Sequence, residues 1–203
     1  MTENYFVTAI GTDSGKTLVS AILVEALQGD YWKPIQAGYP RDTETVQSLV
    51  TNRKSYFHSE AYLVNTPASP HASAKIDGVN IRKESICLPK TDNSLVIEGA
   101  GGVLVPINDK DTIIDLISQL HSQVILVSNL YLGSINHTLL TVEALKARNL
   151  EVRGIIFNGP ENQESERIIL EKSGYKLLFT LRPLEKVDRK TVQEIATRIK
   201  SQI

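Results

Sequence analysis

Short apolar or β-branched runs recur along the chain at residues 5–10, 95–97, 124–127, 152–157 and 176–180, with a weaker one at 31–34. Runs of this kind predict strands buried on both faces. Between them the apolar positions repeat at helical spacing over residues 16–27, 44–50, 113–120, 135–148 and 161–173, and again over 189–199 at the end of the chain. Alternating strands and helices call for crossover connections, and right-handed crossovers give an α/β fold: three layers, a mostly parallel sheet flanked by helices on both faces. Ligands of such sheets collect at the carboxyl ends of the strands. Residues 30–36 and 62–89 carry no clear period, and prolines at 67, 70 and 89 interrupt any that starts, so loops and short helices are expected there. A connection as long as 62–89 near a sheet edge is expected to line the pocket.

Composition narrows the function classes. Twenty-two Lys and Arg against 23 Asp and Glu leave a net charge of −1, with no broad basic field for nucleic acid or an anionic bilayer. The single cysteine, Cys87, closes no internal disulfide and builds no thiolate zinc site, which fits a reducing compartment. No apolar run reaches the roughly 18 residues of a membrane span, and the N-terminus shows no signal-like pattern. The expectation is one domain over 1–203, located in the cytoplasm.

The first run leads into Gly11-Thr12-Asp13-Ser14-Gly15-Lys16-Thr17 and then into a helical pattern, the strand, glycine turn and helix of a phosphate-binding loop. In such a loop backbone N–H groups surround phosphate oxygens, Lys16 meets the β and γ phosphates, and the Thr17 hydroxyl can ligate Mg²⁺. The strict pattern has glycine where Ile10 stands, so the loop is a variant; the plain alternative is an ordinary glycine turn. Lys33, fixed by Pro34 at the end of the second predicted strand, points at the same edge or is a solvated strand-end lysine. Asp42 is either a magnesium ligand or a helix N-cap. Glu98 ends a buried run and is followed by Gly99-Ala100-Gly101-Gly102, a carboxylate for a metal beside a backbone that phosphate or substrate can approach, or else an exposed Glu in a glycine turn. Gly133-Ser134-Ile135-Asn136 opens a helix whose free N–H groups can take a carboxylate, although capping alone would explain Ser134 and Asn136. His71, beside Pro70, reads as a solvent-exposed loop histidine, and the histidines at 58, 71, 121 and 137 show no metal-ligand spacing.

Together, Phe6-Val7-Thr8 before the loop, Lys33-Pro34-Ile35-Gln36-Ala37-Gly38, Val96 through Gly102 and Leu132-Gly133-Ser134-Ile135-Asn136-His137 resemble the dethiobiotin synthetase family. The resemblance implies a P-loop enzyme using ATP and Mg²⁺ to carboxylate 7,8-diaminononanoate with CO₂ and close a ureido ring. It implies Lys16 and Lys33 as catalytic residues, the first on ATP phosphates and the second on the carbamate. Thr17, Asp42 and Glu98 would hold Mg²⁺, and Thr12, Asp13, Ser14, Gly15, Lys16, Thr17 and Leu18 would surround phosphates. Gly99, Ala100 and Gly101 would lie near ATP and substrate, with Asn158 and Pro183 on the adenine side. Substrate would meet Lys33, Ala37 and, across the interface of a homodimer, Gly133, Ser134, Ile135 and Asn136. Three positions depart from the family pattern: Ala37 stands where Ser or Thr is usual, Ala9-Ile10-Gly11 where Gly-Thr-Asp is common, and residues 178–183 match the adenine-side segment loosely.

A partition or targeting ATPase of related fold is the nearest alternative, but position 11, where its signature lysine would fall, is Gly11, and no basic amphipathic tail follows. An amidotransferase would need a glutaminase domain for which the chain is too short. An ATP-binding regulatory module without turnover is the remaining alternative.

Overall fold

The computed structural model describes residues 2–203. Its elements run β1 (Asn4–Ala9), α1 (Lys16–Leu27), β2 (Asp30–Trp32), β3 (Ile35–Ala37), α2 (Asp42–Leu49), β4 (Phe57–His58), β5 (Tyr62–Val64), α3 (Pro70–Asp77), a 3₁₀ turn at Lys83–Ser85, β6 (Leu95–Gly102), α4 (Ile113–Leu120), β7 (Gln123–Asn129), α5 (Ser134–Ala147), β8 (Val152–Asn158), α6 (Gln163–Ser173), β9 (Leu177–Leu181) and α7 (Arg189–Ile199). Seven strands form one sheet in the order β4-β2-β6-β1-β7-β8-β9, every pairing parallel.

The apolar runs explain the layers. Tyr5, Val7 and Ala9 of β1 bury against Val19, Ile22 and Leu23 of α1, Val46 of α2 and Val192 and Ile195 of α7. Phe6 faces the other way, into a cluster with Ile113, Ile114 and Ile117 of α4, Leu145 of α5 and Ile169 of α6. A strand alternates its side chains between faces, so an uninterrupted apolar run supplies both layers at once. Each fully buried Ile, Leu or Phe contributes about 1.5–3 kcal/mol, which makes this central slab the stable frame for what hangs on its edge.

The predicted architecture is present, and α1, α4 and α7 keep their expected bounds. Two regions differ. β6 does not stop at Ile97 but runs through Gly102, with a register shift against β1 between Val7 and Ala9. The stretch expected to be loops and short helices also holds strand: β5 pairs in parallel with β3 as a small separate sheet, and Pro70 opens α3 instead of breaking it. Proline suits the first helical turn because its missing N–H has no partner there in any case.

The chain moves from β1 to one side of the sheet for β2 and returns to the other side for β7, which places the switch in strand order at β1. The phosphate loop leaves the carboxyl end of that strand, where α/β sheets bind ligands. Among the described residues no helix is long and apolar enough to cross a membrane.

Candidate active site

A cavity of about 710 Å³ opens at the carboxyl edge between the phosphate loop, the end of β2, β3 and the segment before α3. Its lining brings together Lys16, Thr17, Lys33, Asp42 and Glu98, five residues separated by up to 82 positions in sequence.

The loop is built for close approach. Asp13 and Gly15 take left-handed backbone, φ 56° and 88°, and a Cβ at position 15 would collide with the side-chain amide of Asn158. That amide donates to the Ser14 carbonyl at 2.9 Å, so Asn158 braces the loop from behind. Gly15 is the N-cap of α1 and offers no side-chain bond, which leaves the first N–H groups of the helix unpaired and facing an incoming anion. Lys16, 7% exposed, lays its Nζ 3.1 Å from the Gly11 carbonyl. Burial pushes its pKa down to about 8, with Glu98 offsetting only part of that cost.

Lys33 is not a solvated strand-end lysine: it is 5% exposed and forms ion pairs with Asp42 and, at 3.2 Å, with Glu98. Burial alone would lower its pKa; Glu98 and Asp42 reverse the direction and hold it above the ordinary lysine value. Glu98 is not exposed either, at 1%. One carboxylate oxygen accepts from Thr17 at 2.9 Å and from Lys33, while the other accepts from the Tyr31 hydroxyl at 2.9 Å. Asp42 is not an N-cap: Arg41 holds that position without a side-chain bond, and Asp42 is the first residue of α2. Its own N–H donates to the Gln36 side chain at 3.1 Å.

The oxygens fit Mg²⁺. Thr17 Oγ1 stands 3.1 Å from Asp42 Oδ1 and 2.9 Å from Glu98 Oε1, yet its single proton can serve only one of them at a time. Neighbouring oxygens around Mg²⁺, with bonds of about 2.0–2.1 Å, stand about 2.9 Å apart, a spacing that these hydrogen-bonded oxygens already match. Two carboxylates and a hydroxyl leave the remaining positions to phosphates and water, as Mg²⁺ sites with nucleotides do.

The cavity also takes in Thr12, Asp13, Ser14, Gly15, Ala37, Ala100 and Gly101 from the expected set. Leu18, Gly99, Asn158 and Pro183 do not line it. Gly133–Asn136 do not line it either; Gly133 is the N-cap of α5 with no side-chain bond, so capping does not account for Ser134 and Asn136. A second groove of about 420 Å³ lies on that side, where His137, Leu140 and Thr141 face Ile10, Gly11, Thr12 and Gly102 through Pro106. Tyr31, Gln36 and Ser69 escaped sequence reasoning. Ser69 lines the cavity and bonds the half-buried ring of His71 at 3.0 Å, and its loop is pressed on β3 where Pro67 fills the space a Cβ at Gly38 would need. The length and prolines of residues 62–89 marked the loop in advance, and residues 67–70 of it line the cavity, but no side chain of it was singled out for the site.

A family model described as an AAA domain matches residues 3–191. An ATP-dependent dethiobiotin synthetase of Cytophaga hutchinsonii is 57% identical over 199 residues, 97% of each chain. One of Christiangramia forsetii is 48% identical over 205 residues, 100% of this chain and 99% of the relative. Among solved structures, the septum site-determining protein MinD of Pyrococcus horikoshii, complexed with Mg-ADP, covers 100% of this chain and is itself covered over 90%, with a TM-score of 0.58 at 15% identity. At that identity the likeness is one of fold, and the sequence relatives decide between the partition-type alternative and the synthetase: the chain belongs to the family of ATP-dependent dethiobiotin synthetases.

Proposed function

We propose that the cavity between the phosphate loop and Lys33 is where this chain closes the ureido ring of dethiobiotin on 7,8-diaminononanoate. The activity is an ATP- and Mg²⁺-dependent C–N bond formation. In our reading one substrate amine adds to CO₂ and loses a proton, giving a carbamate. A carbamate oxygen takes the γ-phosphoryl group and ADP leaves. The second amine then attacks the carbonyl carbon of the carbamic-phosphoric anhydride, the C–O bond to phosphate breaks, phosphate departs and the new urea nitrogen loses a proton to solvent.

The chain's residues supply charge and position. Lys33 would neutralise the carbamate, and Lys16 would follow the negative charge of the transferring group; phosphoryl transfer depends mainly on such stabilisation. Thr17, Asp42 and Glu98 would hold Mg²⁺, which when bound neutralises phosphate oxygens. Residues Thr12 to Leu18 would surround phosphates, with Gly99 to Gly101 beside them. Asn158, which already braces the loop, and Pro183 would stand on the adenine side. Two amines on one carbon chain can gain up to about 7–11 kcal/mol from orientation alone, so ring closure needs little acid-base help.

We read residues 1–203 as one domain, active as a cytoplasmic homodimer. Gly133, Ser134, Ile135 and Asn136 would reach the substrate carboxylate of a second copy. Exposed Leu104 and Leu140 in the second groove, with exposed Leu132 just before α5, support a covered face there. Ala37 brings a methyl group where a hydroxyl would contact substrate, leaving Ser69 as a hydroxyl on that wall.

The observation that carries the reading is the convergence of two ammonium groups and three metal-type oxygens in one cavity. Purified protein incubated with the diamine, bicarbonate, Mg²⁺ and ATP should yield dethiobiotin and ADP in equal amounts. ADP release independent of the diamine would count against it.

A further inference from the structure

Glu60 belongs to no motif and does not line the main cavity, yet its side chain is only 3% exposed. A carboxylate taken out of water loses several kcal/mol unless partners compensate it, so its contacts indicate what the burial serves. Oε1 accepts from the Thr43 hydroxyl at 2.7 Å, and Oε2 stands 3.5 Å from the Arg41 guanidinium. Arg41 and Thr43 are the two residues on either side of Asp42.

The start of α2 is held from several sides. Its N-cap gives no side-chain bond, but Gln36 accepts from the Asp42 N–H at 3.1 Å and the Arg41 guanidinium bonds Glu44 at 2.9 Å; Glu60 adds the hold on Thr43 and a second, longer contact to Arg41. The segment bearing Glu60 is itself fixed. The Trp32 indole donates to the Ser59 carbonyl at 3.0 Å, and the Ala61 and Tyr62 N–H groups both donate to the Pro34 carbonyl, at 2.9 and 3.0 Å. Glu60 is therefore held in the frame of β2, the strand that leads to Lys33.

We propose that Glu60 is a positioning residue: by gripping both neighbours of Asp42 it fixes the Asp42 carboxylate and so sets the affinity of the divalent-cation site. The inference rests on the reading of Asp42 as a ligand. Glu60 touches neither substrate nor metal, and its effect passes through Thr43 and Arg41.

The test is Mn²⁺ titration by electron paramagnetic resonance on the protein with ADP, comparing wild type, Glu60→Ala, Thr43→Ala, Glu60→Gln and Asp42→Asn. Partners behind metal ligands commonly change affinity 10–100-fold, so Glu60→Ala and Thr43→Ala should each weaken Mn²⁺ about ten-fold, with metal-free ADP binding unchanged. Glu60→Gln keeps an oxygen for Thr43 and should stay within about three-fold of wild type, against the ten-fold expected for outright loss. Wild-type Mn²⁺ affinity in Glu60→Ala and Thr43→Ala, with Asp42→Asn weakened, overturns the positioning role. An unchanged Asp42→Asn removes the ligand reading and this inference with it. Should Glu60→Ala not fold, Thr43→Ala decides alone.

Discussion

The two lysines of the cavity are about equally buried, 7% and 5% exposed, and the protein treats them in opposite ways. Lys16, on the phosphate loop, is bonded to a backbone carbonyl and its pKa falls to about 8 because burial outweighs the pull of Glu98. Lys33, at the end of β2, faces the same burial, but Glu98 and Asp42 turn the shift upward. Burial therefore does not decide the behaviour of a cation here; the built-in counter-charge does. Lys33 finds its counter-charge within the fold, whereas Lys16 on our reading gains its own from a phosphate.

The sharpest way to break this contrast is stability. Lys33→Ala leaves the buried Glu98 carboxylate without its ammonium and should cost about 3–5 kcal/mol in urea unfolding, the usual consequence of breaking a buried pair from one side. Lys16→Ala removes a poorly compensated cation and should leave stability unchanged or raised. Equal losses in both variants would end the distinction. Turnover should treat the two alike: each substitution should lower kcat about 10²–10³-fold, the scale of removing one preorganised charge-stabilising group, read as diamine-dependent ADP release. Near-normal rates in both discard their catalytic roles.

Smaller effects sharpen the comparison on the carboxylate side. Glu98→Gln should raise the Mg²⁺ concentration needed for half-maximal rate, and an unchanged magnesium titration removes Glu98 as a ligand. Tyr31→Phe deletes the hydroxyl that donates to Glu98, a bond to a charged group worth about 1.5–3 kcal/mol, and should lower stability by that amount in the same urea assay. The smallest effect is one of pH. Phosphate binds the charged form of Lys16, so nucleotide affinity should hold below about pH 8 and decline above it. One unit above its pKa a group is about nine-tenths deprotonated, so calorimetric affinity near pH 9 should be about ten-fold weaker than at pH 7. Lys16→Ala should flatten that profile.

What could be read in advance follows the range of the forces involved. The helix bounds of α1, α4 and α7 were legible because the helical spacing of their apolar positions is a local signal; the Thr112–Asp115 capping box that starts α4 is equally local and was not read. The phosphate loop was legible because strand, glycines and lysine are contiguous. The Lys33 ion pairs were not, since they depend on β2 lying beside β6, a pairing 65 residues apart from Asp30 to Leu95. β3, β4 and β5 are two or three residues long, too short to show a period. Tyr31 looked like one more apolar strand residue, and nothing in the neighbourhood of Glu60 signalled a buried carboxylate.

The carbonyl of Pro34, which receives both Ala61 and Tyr62, ties the entry to β5, with Glu60 before it, to the chain just beyond Lys33. Evolution cannot retune the two independently. A lineage that shifted the small β3–β5 sheet, whose Gln36 and Ala37 line the cavity, for a longer or bulkier diamine would shift the seat of Asp42 in the same stroke, so altered substrate range and altered cation demand should be inherited together.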